Sequence, residues 1–182
     1  MPLAPPRGHD LAALLRARLR DVPDFPRPGV LFKDIGPLLA DHVALAGAVD
    51  AVVAHWGRGA VDKVVGIEAR GFILAAPVAY HAGAGFVPVR KAGKLPGPSL
   101  SVAYALEYAE AVLEVHEGAL APGDRVLVVD DVLATGGTVA AAADLVRRSG
   151  AQVLGVSVLL ELGALGGRGA LGDLAVHALL TD

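Results

Sequence analysis

Val128-Val129-Asp130-Asp131-Val132-Leu133-Ala134-Thr135-Gly136-Gly137-Thr138 is the stretch on which the reading of this chain turns. Arg125 to Val129 reads as a buried strand. It delivers two adjacent carboxylates, and the chain then turns through Thr, Gly, Gly and Thr into a helix over Val139 to Arg148. Backbone N–H groups at a helix start point outward, and the helix dipole favours an anion there. Glycines let the backbone close on a phosphate, and threonine hydroxyls add donors, so Ala134, Thr135, Gly136, Gly137 and Thr138 read as a phosphate cradle. Asp130 and Asp131 suit a different partner: they can accept from ribose hydroxyls or hold a hydrated Mg²⁺. Acids for a sugar beside a cradle for a phosphate describe a phosphorylated ribose. The competing reading is a capped helix with two solvated acids, and the Thr-Gly-Gly-Thr continuation weighs against it. A nucleoside triphosphatase would need a Gly-x-x-x-x-Gly-Lys-Ser/Thr loop, which the sequence lacks.

Working outward, buried strands alternate with helices. Val64 to Ile67 reads as a strand ending at Glu68, and a helix follows from Gly71 to His81. Phe86 to Val89, Val153 to Leu160 and Leu174 to Leu180 read as further strands. This alternation implies an α/β fold, a mostly parallel twisted sheet flanked by helices. Ligands of such sheets bind beyond the carboxyl ends of the strands, here the loops after Ile67, Val129 and Leu160. Lys91 to Ser101, rich in Gly, Pro and Lys, reads as a mobile loop, with a hairpin of Val102–Tyr108 and Ala111–His116 after it. Near the N-terminus, Asp10 is the expected N-cap of a helix carrying Leu11, Leu14, Leu15 and Leu19. Pro23, Pro26, Pro28 and Gly29 then predict irregular structure over Asp24 to Pro37. That stretch still carries Phe25, Val30, Leu31, Phe32 and Ile35, as a lid or wall over something would. Asp41 to Trp56 returns to helical spacing, and the near-repeat Gly163 to Gly172 reads as a flexible connection.

Composition narrows the classes. A chain of 182 residues fits one domain, residues 1–182, with a substantial core. Hydrophobic residues make up 54% and charged residues 19%, which is globular rather than disordered. A net charge of −3 gives no reason to expect nucleic acid held by charge alone. The longest uncharged stretch, Gly71 to Val89, is broken by Pro77, Gly83, Gly85 and Pro88, so no membrane helix is expected. The absence of cysteine and of an apolar signal core fits a cytoplasmic protein. The six histidines show no metal-ligand spacing and are expected to be structural or exposed.

The segment around Asp130 and Asp131 resembles the phosphoribosyl pyrophosphate motif of the type I phosphoribosyltransferases, and further segments resemble the adenine members of that family. Phe25-Pro26-Arg27-Pro28-Gly29-Val30-Leu31-Phe32-Lys33-Asp34-Ile35 is similar to their base-binding hood, about residues 22–37. Gly66-Ile67-Glu68-Ala69-Arg70-Gly71-Phe72 is similar to their pyrophosphate loop. Val87-Pro88-Val89-Arg90-Lys91 with Gly93-Lys94-Leu95-Pro96-Gly97 resembles the strand entering their flexible catalytic loop, about residues 91–110, and Leu106-Glu107-Tyr108 its return. The matches stand in the family's order from Phe25 to about Leu162.

The resemblance implies transfer of a phosphoribosyl group from phosphoribosyl pyrophosphate to adenine, with Mg²⁺, by a homodimer. It implies ribose binding by Asp130 and Asp131 and 5′-phosphate binding by Ala134 to Thr138. Arg70, Arg90, Lys91 and Lys94 would supply positive charge at pyrophosphate, Arg90 from across a dimer interface. Phe32 would stack on adenine with Leu162 on the other face, and the backbones of Leu31 and Lys33 would read the purine edge. Glu107 would be the acid/base on the purine or an electrostatic helper, with Tyr108 closing over the site. These types suit the chemistry, because a departing pyrophosphate needs clustered cations and Mg²⁺, and an activated sugar needs water kept away. Gly36 stands where the family more often has Ser, and Lys33 where Arg is common. The rival readings are a phosphoribosyltransferase for another base and a regulator that binds phosphoribosyl pyrophosphate without turnover. The hood weighs against the first, and the short stretch ahead of it against the second. The bland alternative for Arg70 is a surface ion pair with Glu68.

Overall fold

The computed structural model of the chain describes residues 8–105 and 110–182. Contacts divide it into two compact units, residues up to Ala51 and residues from Val52 onward.

The first unit opens with helix α1 (Gly8–Ala17) and a two-stranded antiparallel ribbon of β1 (Arg20–Val22) and β2 (Phe32–Asp34), paired Arg20 to Asp34 and Val22 to Phe32. Helix α2 (Gly36–Ala40) and helix α3 (His42–Trp56) follow. Two expectations are corrected here. The first helix begins at Gly8, so Asp10 lies inside its first turn, where its charge complements the helix dipole, and is not the cap. The stretch from Asp24 to Pro37 is not irregular throughout, because its prolines lie between the strands and leave β2 free to pair. The intervening loop is closed by Phe25 N donating to Val30 O at 3.2 Å and Gly29 N donating to Asp24 Oδ1 at 2.7 Å. Asp41 caps α3: its carboxylate accepts from the amides of Val43 and Ala44 at 3.0 and 3.2 Å.

The second unit is built on β3 (Lys63–Ile67), α4 (Gly71–Ala82), β4 (Gly85–Lys91), β5 (Ser99–Ala105), β6 (Glu110–His116), β7 (Arg125–Leu133), α5 (Gly137–Arg148), β8 (Gln152–Glu161) and β9 (Val176–Thr181). The sheet order is β5-β6-β4-β3-β7-β8-β9. Strands β4, β3, β7, β8 and β9 run parallel, and β6 and β5 add an antiparallel edge. Chain order moves outward from β3 to β4 in one direction and from β7 to β8 in the other. Crossovers are right-handed, so α4 and α5 cover opposite faces. Packing agrees: Val65, Val128 and Val156 share a core with Val139, Ala142 and Leu145 of α5. On the other face, a β-carbon at Gly66 would lie 2.7 Å from Ala75 of α4. Order reverses between β3 and β7, and a doubly wound sheet opens its ligand crevice at such a switch point, at the carboxyl ends of the strands.

Three expectations change in this unit. Strand β7 does not stop at Val129; β8 runs alongside it as far as Leu133↔Glu161, so the ladder carries the chain through both acids. The mobile stretch from Lys91 to Ser101 is shorter, because β4 includes Lys91 and β5 begins at Ser99 to pair with His116. Gly163 to Gly172 is not a loose connection but two 3₁₀ turns, Gly163–Leu165 and Gly167–Leu171. Arg168 fixes the second turn: its Nε and Nη2 donate to the buried Glu161 at 2.7 and 2.8 Å, and its Nη1 to Val176 O at 3.0 Å.

Candidate active site

The switch point gathers the loops after β3 and β7. After β7, Asp130 and the run from Val132 to Val139 line a cleft of about 80 Å³. A water in bulk takes up about 30 Å³, so the cleft has room for a tetrahedral oxyanion. The first intrahelical bond of α5 is from Ala140 N to Gly136 O at 2.9 Å. The amides ahead of it belong to the turn that a helix start leaves for other acceptors. Gly136 holds φ +85°, and a β-carbon there would run into the carbonyl of Gly167 and lie 2.9 Å from Ala170. Gly167 is bound by the same closeness, since its own β-carbon would meet Ala134 O. The cradle therefore rests backbone to backbone on the second 3₁₀ turn. Thr138 Oγ1 also reaches Tyr104 OH of β5 at 3.4 Å, a link that nothing in the spacing announced.

The two acids are set differently. Asp131 is buried, and Arg70 Nε sits 2.7 Å from its Oδ2. Asp130 Oδ1 accepts from Asp131 N at 2.9 Å. Gly71 makes room for that carboxylate: a β-carbon there would lie 2.7 Å from Asp130 Oδ1. Burial pushes Asp130 well above the usual carboxylate range, and the neighbouring Asp131 charge adds to it. Burial raises Asp131 as well, opposed by Arg70. Both acids are thus primed to gain from donors or a cation that a ligand brings.

The expected cations converge on a residue that sequence reasoning left unassigned. Glu68, at the end of β3, has a buried side chain. Its Oε1 lies 2.6 Å from Lys94 Nζ, and its Oε2 accepts from Lys91 N at 3.0 Å. Arg90 Nη2 approaches Oε1, and Nε approaches Oε2, at 3.4 Å each, while Arg90 Nη1 donates to Lys94 O at 2.9 Å. Burial alone would raise the Glu68 pKa; Lys94, the Lys91 amide and Arg90 together bring it down to about 2. The expected alternative of an ion pair between Glu68 and Arg70 is overturned, since the two reach to different partners. Arg90, expected at a dimer interface, is engaged within its own chain.

In the first unit, Phe32 packs edge-on against Phe25 with ring centroids 5.1 Å apart. Leu31 is exposed, and Lys33 Nζ lies 3.0 Å from Asp21 Oδ1. In the second unit Leu162 is half-buried, and its amide donates to Leu133 O at 2.9 Å. Glu107 and Tyr108 lie outside the described residues. Tyr104 and Arg168 carry no local motif, so their contacts with Thr138 and Glu161 were not legible. Glu68 stands inside the segment quoted for its resemblance, and the signal was a carboxylate next to a loop otherwise rich in cations.

Comparison with known proteins gives one answer. A family model described as phosphoribosyl transferase domain matches residues 43–168. The chain is 60% identical over 171 residues to the adenine phosphoribosyltransferase of Acidothermus cellulolyticus, covering 94% of this chain and 97% of that one. It is 61% identical over 175 residues to that of Streptomyces coelicolor, covering 94% and 96%. The crystal structure of the Rhodothermus marinus adenine phosphoribosyltransferase superposes with a TM-score of 0.90 at 47% identity, over 94% of this chain and 98% of that one. The Saccharomyces cerevisiae enzyme, crystallised with an imino-altritol 1,6-bisphosphate and adenine, gives 0.90 at 38% identity, over 94% and 99%. With a matching domain, fold and near full-length relatives, this chain belongs to the adenine phosphoribosyltransferase family of the type I phosphoribosyltransferases.

Proposed function

We propose that the protein transfers the 5-phosphoribosyl group of phosphoribosyl pyrophosphate to adenine, releasing AMP and pyrophosphate. One observation carries this reading: a single strand–loop–helix places a buried acid pair beside an anion cradle at the sheet's switch point. The cradle from Ala134 to Thr138 takes the 5′-phosphate, and Asp130 and Asp131 take the ribose hydroxyls. The bond from the anomeric carbon to the pyrophosphate oxygen breaks with its electrons going to pyrophosphate, and a ring nitrogen of adenine bonds to that carbon and gives up its proton. Arg70, Arg90, Lys91 and Lys94 stabilise the departing charge. Glu107 handles the purine proton, and Tyr108 covers the site. Leu31, Phe32, Lys33 and Leu162 retain the base-binding roles, each on its residue type and place in the chain.

The donor set fits Mg²⁺ carried in on substrate oxygens rather than caged by the protein. Among the described residues no three His, Cys, Asp or Glu side chains gather as a metal site, and Asp131 is already engaged by Arg70. When bound, the ion would offset charge on pyrophosphate. A homodimer is supported by an exposed apolar stripe on α4, with Ile73 and Tyr80 at 45% and 83% exposure. Among the described residues no helix is long and apolar enough to cross a membrane, which agrees with cytoplasmic work on diffusible substrates. The test is direct: purified protein with phosphoribosyl pyrophosphate, Mg²⁺ and adenine should form AMP and pyrophosphate in equal amounts. Binding of phosphoribosyl pyrophosphate without AMP would favour the regulator reading.

A further inference from the structure

The residues assigned to pyrophosphate share an anion of the protein's own. Glu68 sits at the carboxyl end of β3, where its side chain is only 7% exposed. It contacts Lys94 Nζ at 2.6 Å, the Lys91 amide at 3.0 Å and the Arg90 guanidinium at 3.4 Å. Such a set of donors is what a pyrophosphate oxygen would ask for.

We propose that Glu68 is a built-in counter-anion for the pyrophosphate site: its carboxylate holds Lys94 and Arg90 in the free enzyme, yields Lys94 to pyrophosphate on loading, and draws it back as the product leaves. This rests on the assignment of Lys94 and Arg90 to pyrophosphate.

The mobile partner in the exchange is Lys94. Arg90 lies in β4, paired to Glu114 of β6, and its side chain is 33% exposed. Lys94 lies in the short connection between β4 and β5, beside Gly93 at φ +78°, and its side chain is 49% exposed. An ammonium on a flexible stem can turn outward while the guanidinium stays. Two opposing effects follow from the buried carboxylate. A negative charge next to the pyrophosphate cations repels an incoming polyanion and competes for its donors. The same charge, left with fewer partners once Lys94 has turned away, favours the ammonium's return. Glu68 is therefore a positioning residue that weakens pyrophosphate binding and so keeps the product from lingering. A plain tether would do the opposite, since its loss would scatter the cations and weaken binding.

The experiment is pyrophosphate affinity by calorimetry with Mg²⁺ present, together with kcat and KM, on the wild type, Glu68→Gln, Glu68→Asp, Lys94→Ala and the Glu68→Gln/Lys94→Ala double variant. Glu68→Gln keeps shape and removes the charge. Its expected effect is about tenfold tighter pyrophosphate binding, the size of one charge-assisted contact released, with a lower KM for phosphoribosyl pyrophosphate and no gain in kcat. Glu68→Asp, which keeps the charge, should lie between Gln and wild type and covers the case in which Gln fails to fold. In the Lys94→Ala background Glu68→Gln should add little, because the exchange runs through the ammonium. Weaker pyrophosphate binding in Glu68→Gln, or equal tightening with and without Lys94, would overturn the inference while AMP formation leaves the enzyme's function intact. If Lys94→Ala binds pyrophosphate as wild type does, the assignment beneath the inference fails instead.

Discussion

Asp130 and Asp131 are held where carboxylates cost stability. Burial and the neighbouring charge raise the Asp130 pKa above its ordinary 3.8. A raised acid binds its proton more tightly in the folded chain, so its contribution to stability is full below the unfolded pKa and lost as pH rises through the folded one. At neutral pH the ionised pair therefore weakens the fold, as strained functional sites do. Asp130→Asn should raise Tm at pH 7, with the advantage shrinking as pH approaches 4; thermal melts at both pH values check this. The Asp130→Asn/Asp131→Asn double variant should stay folded by circular dichroism and lose turnover by about a thousandfold or more. A folded, active double variant would remove the ribose role. Gly136 gives a contrasting case. Its φ of +85° and the Gly167 carbonyl against it leave no room for a side chain. Gly136→Ala should cost about 1–3 kcal/mol and weaken phosphoribosyl pyrophosphate binding, seen in melts and titrations.

Strands and turns decide how firmly those residues are held. The cradle loop leans on the 3₁₀ turn Gly167–Leu171, and that turn is fastened by the two-pronged bond from Arg168 to buried Glu161. Arg168 holds the Glu161 pKa below the usual carboxylate range. Arg168→Ala should strand that carboxylate, cost about 2–4 kcal/mol, and raise KM for phosphoribosyl pyrophosphate more than it lowers kcat. A variant with wild-type KM would show that the turn does not support the cradle. This element also marks the limit of what the sequence told. Hydrophobic runs placed β3, β7, β8 and both sheet-covering helices, because a parallel strand buried on both faces must be apolar. The Asp-Asp and Thr-Gly-Gly-Thr signals placed the cradle, because an anion needs bare amides there. The 3₁₀ turns were not legible: Gly-Ala-Leu-Gly has no pattern of its own, and what orders it is Arg168 meeting a glutamate on another strand. For the same reason β2 was missed, since a three-residue strand beside several prolines is fixed by its partner β1 and not by its own residues.

Across the whole chain, acid tolerance and substrate choice test different layers of the account. His177 stacks on His55 with centroids 3.9 Å apart and faces Ser157 Oγ at 3.3 Å. Burial, with His55 adding charge repulsion, lowers its pKa to about 4. A depressed base contributes stability above its unfolded pKa and loses it as pH falls through the folded one. The wild type should therefore lose Tm between about pH 6.5 and 4.5, above the range where paired carboxylates titrate, and His177→Gln should lose less. Equal losses would show that this pair does not govern acid sensitivity. The central claim concerns the base. A 6-oxo purine reverses donor and acceptor at the edge that Leu31 and Lys33 are assigned to read, and leaves buried groups unpaired. The most direct measurement is a competition: limiting phosphoribosyl pyrophosphate with Mg²⁺, and adenine, hypoxanthine and guanine at equal concentration, with the nucleotides separated and counted. The account predicts AMP with little IMP or GMP; comparable amounts of GMP or IMP would contradict it.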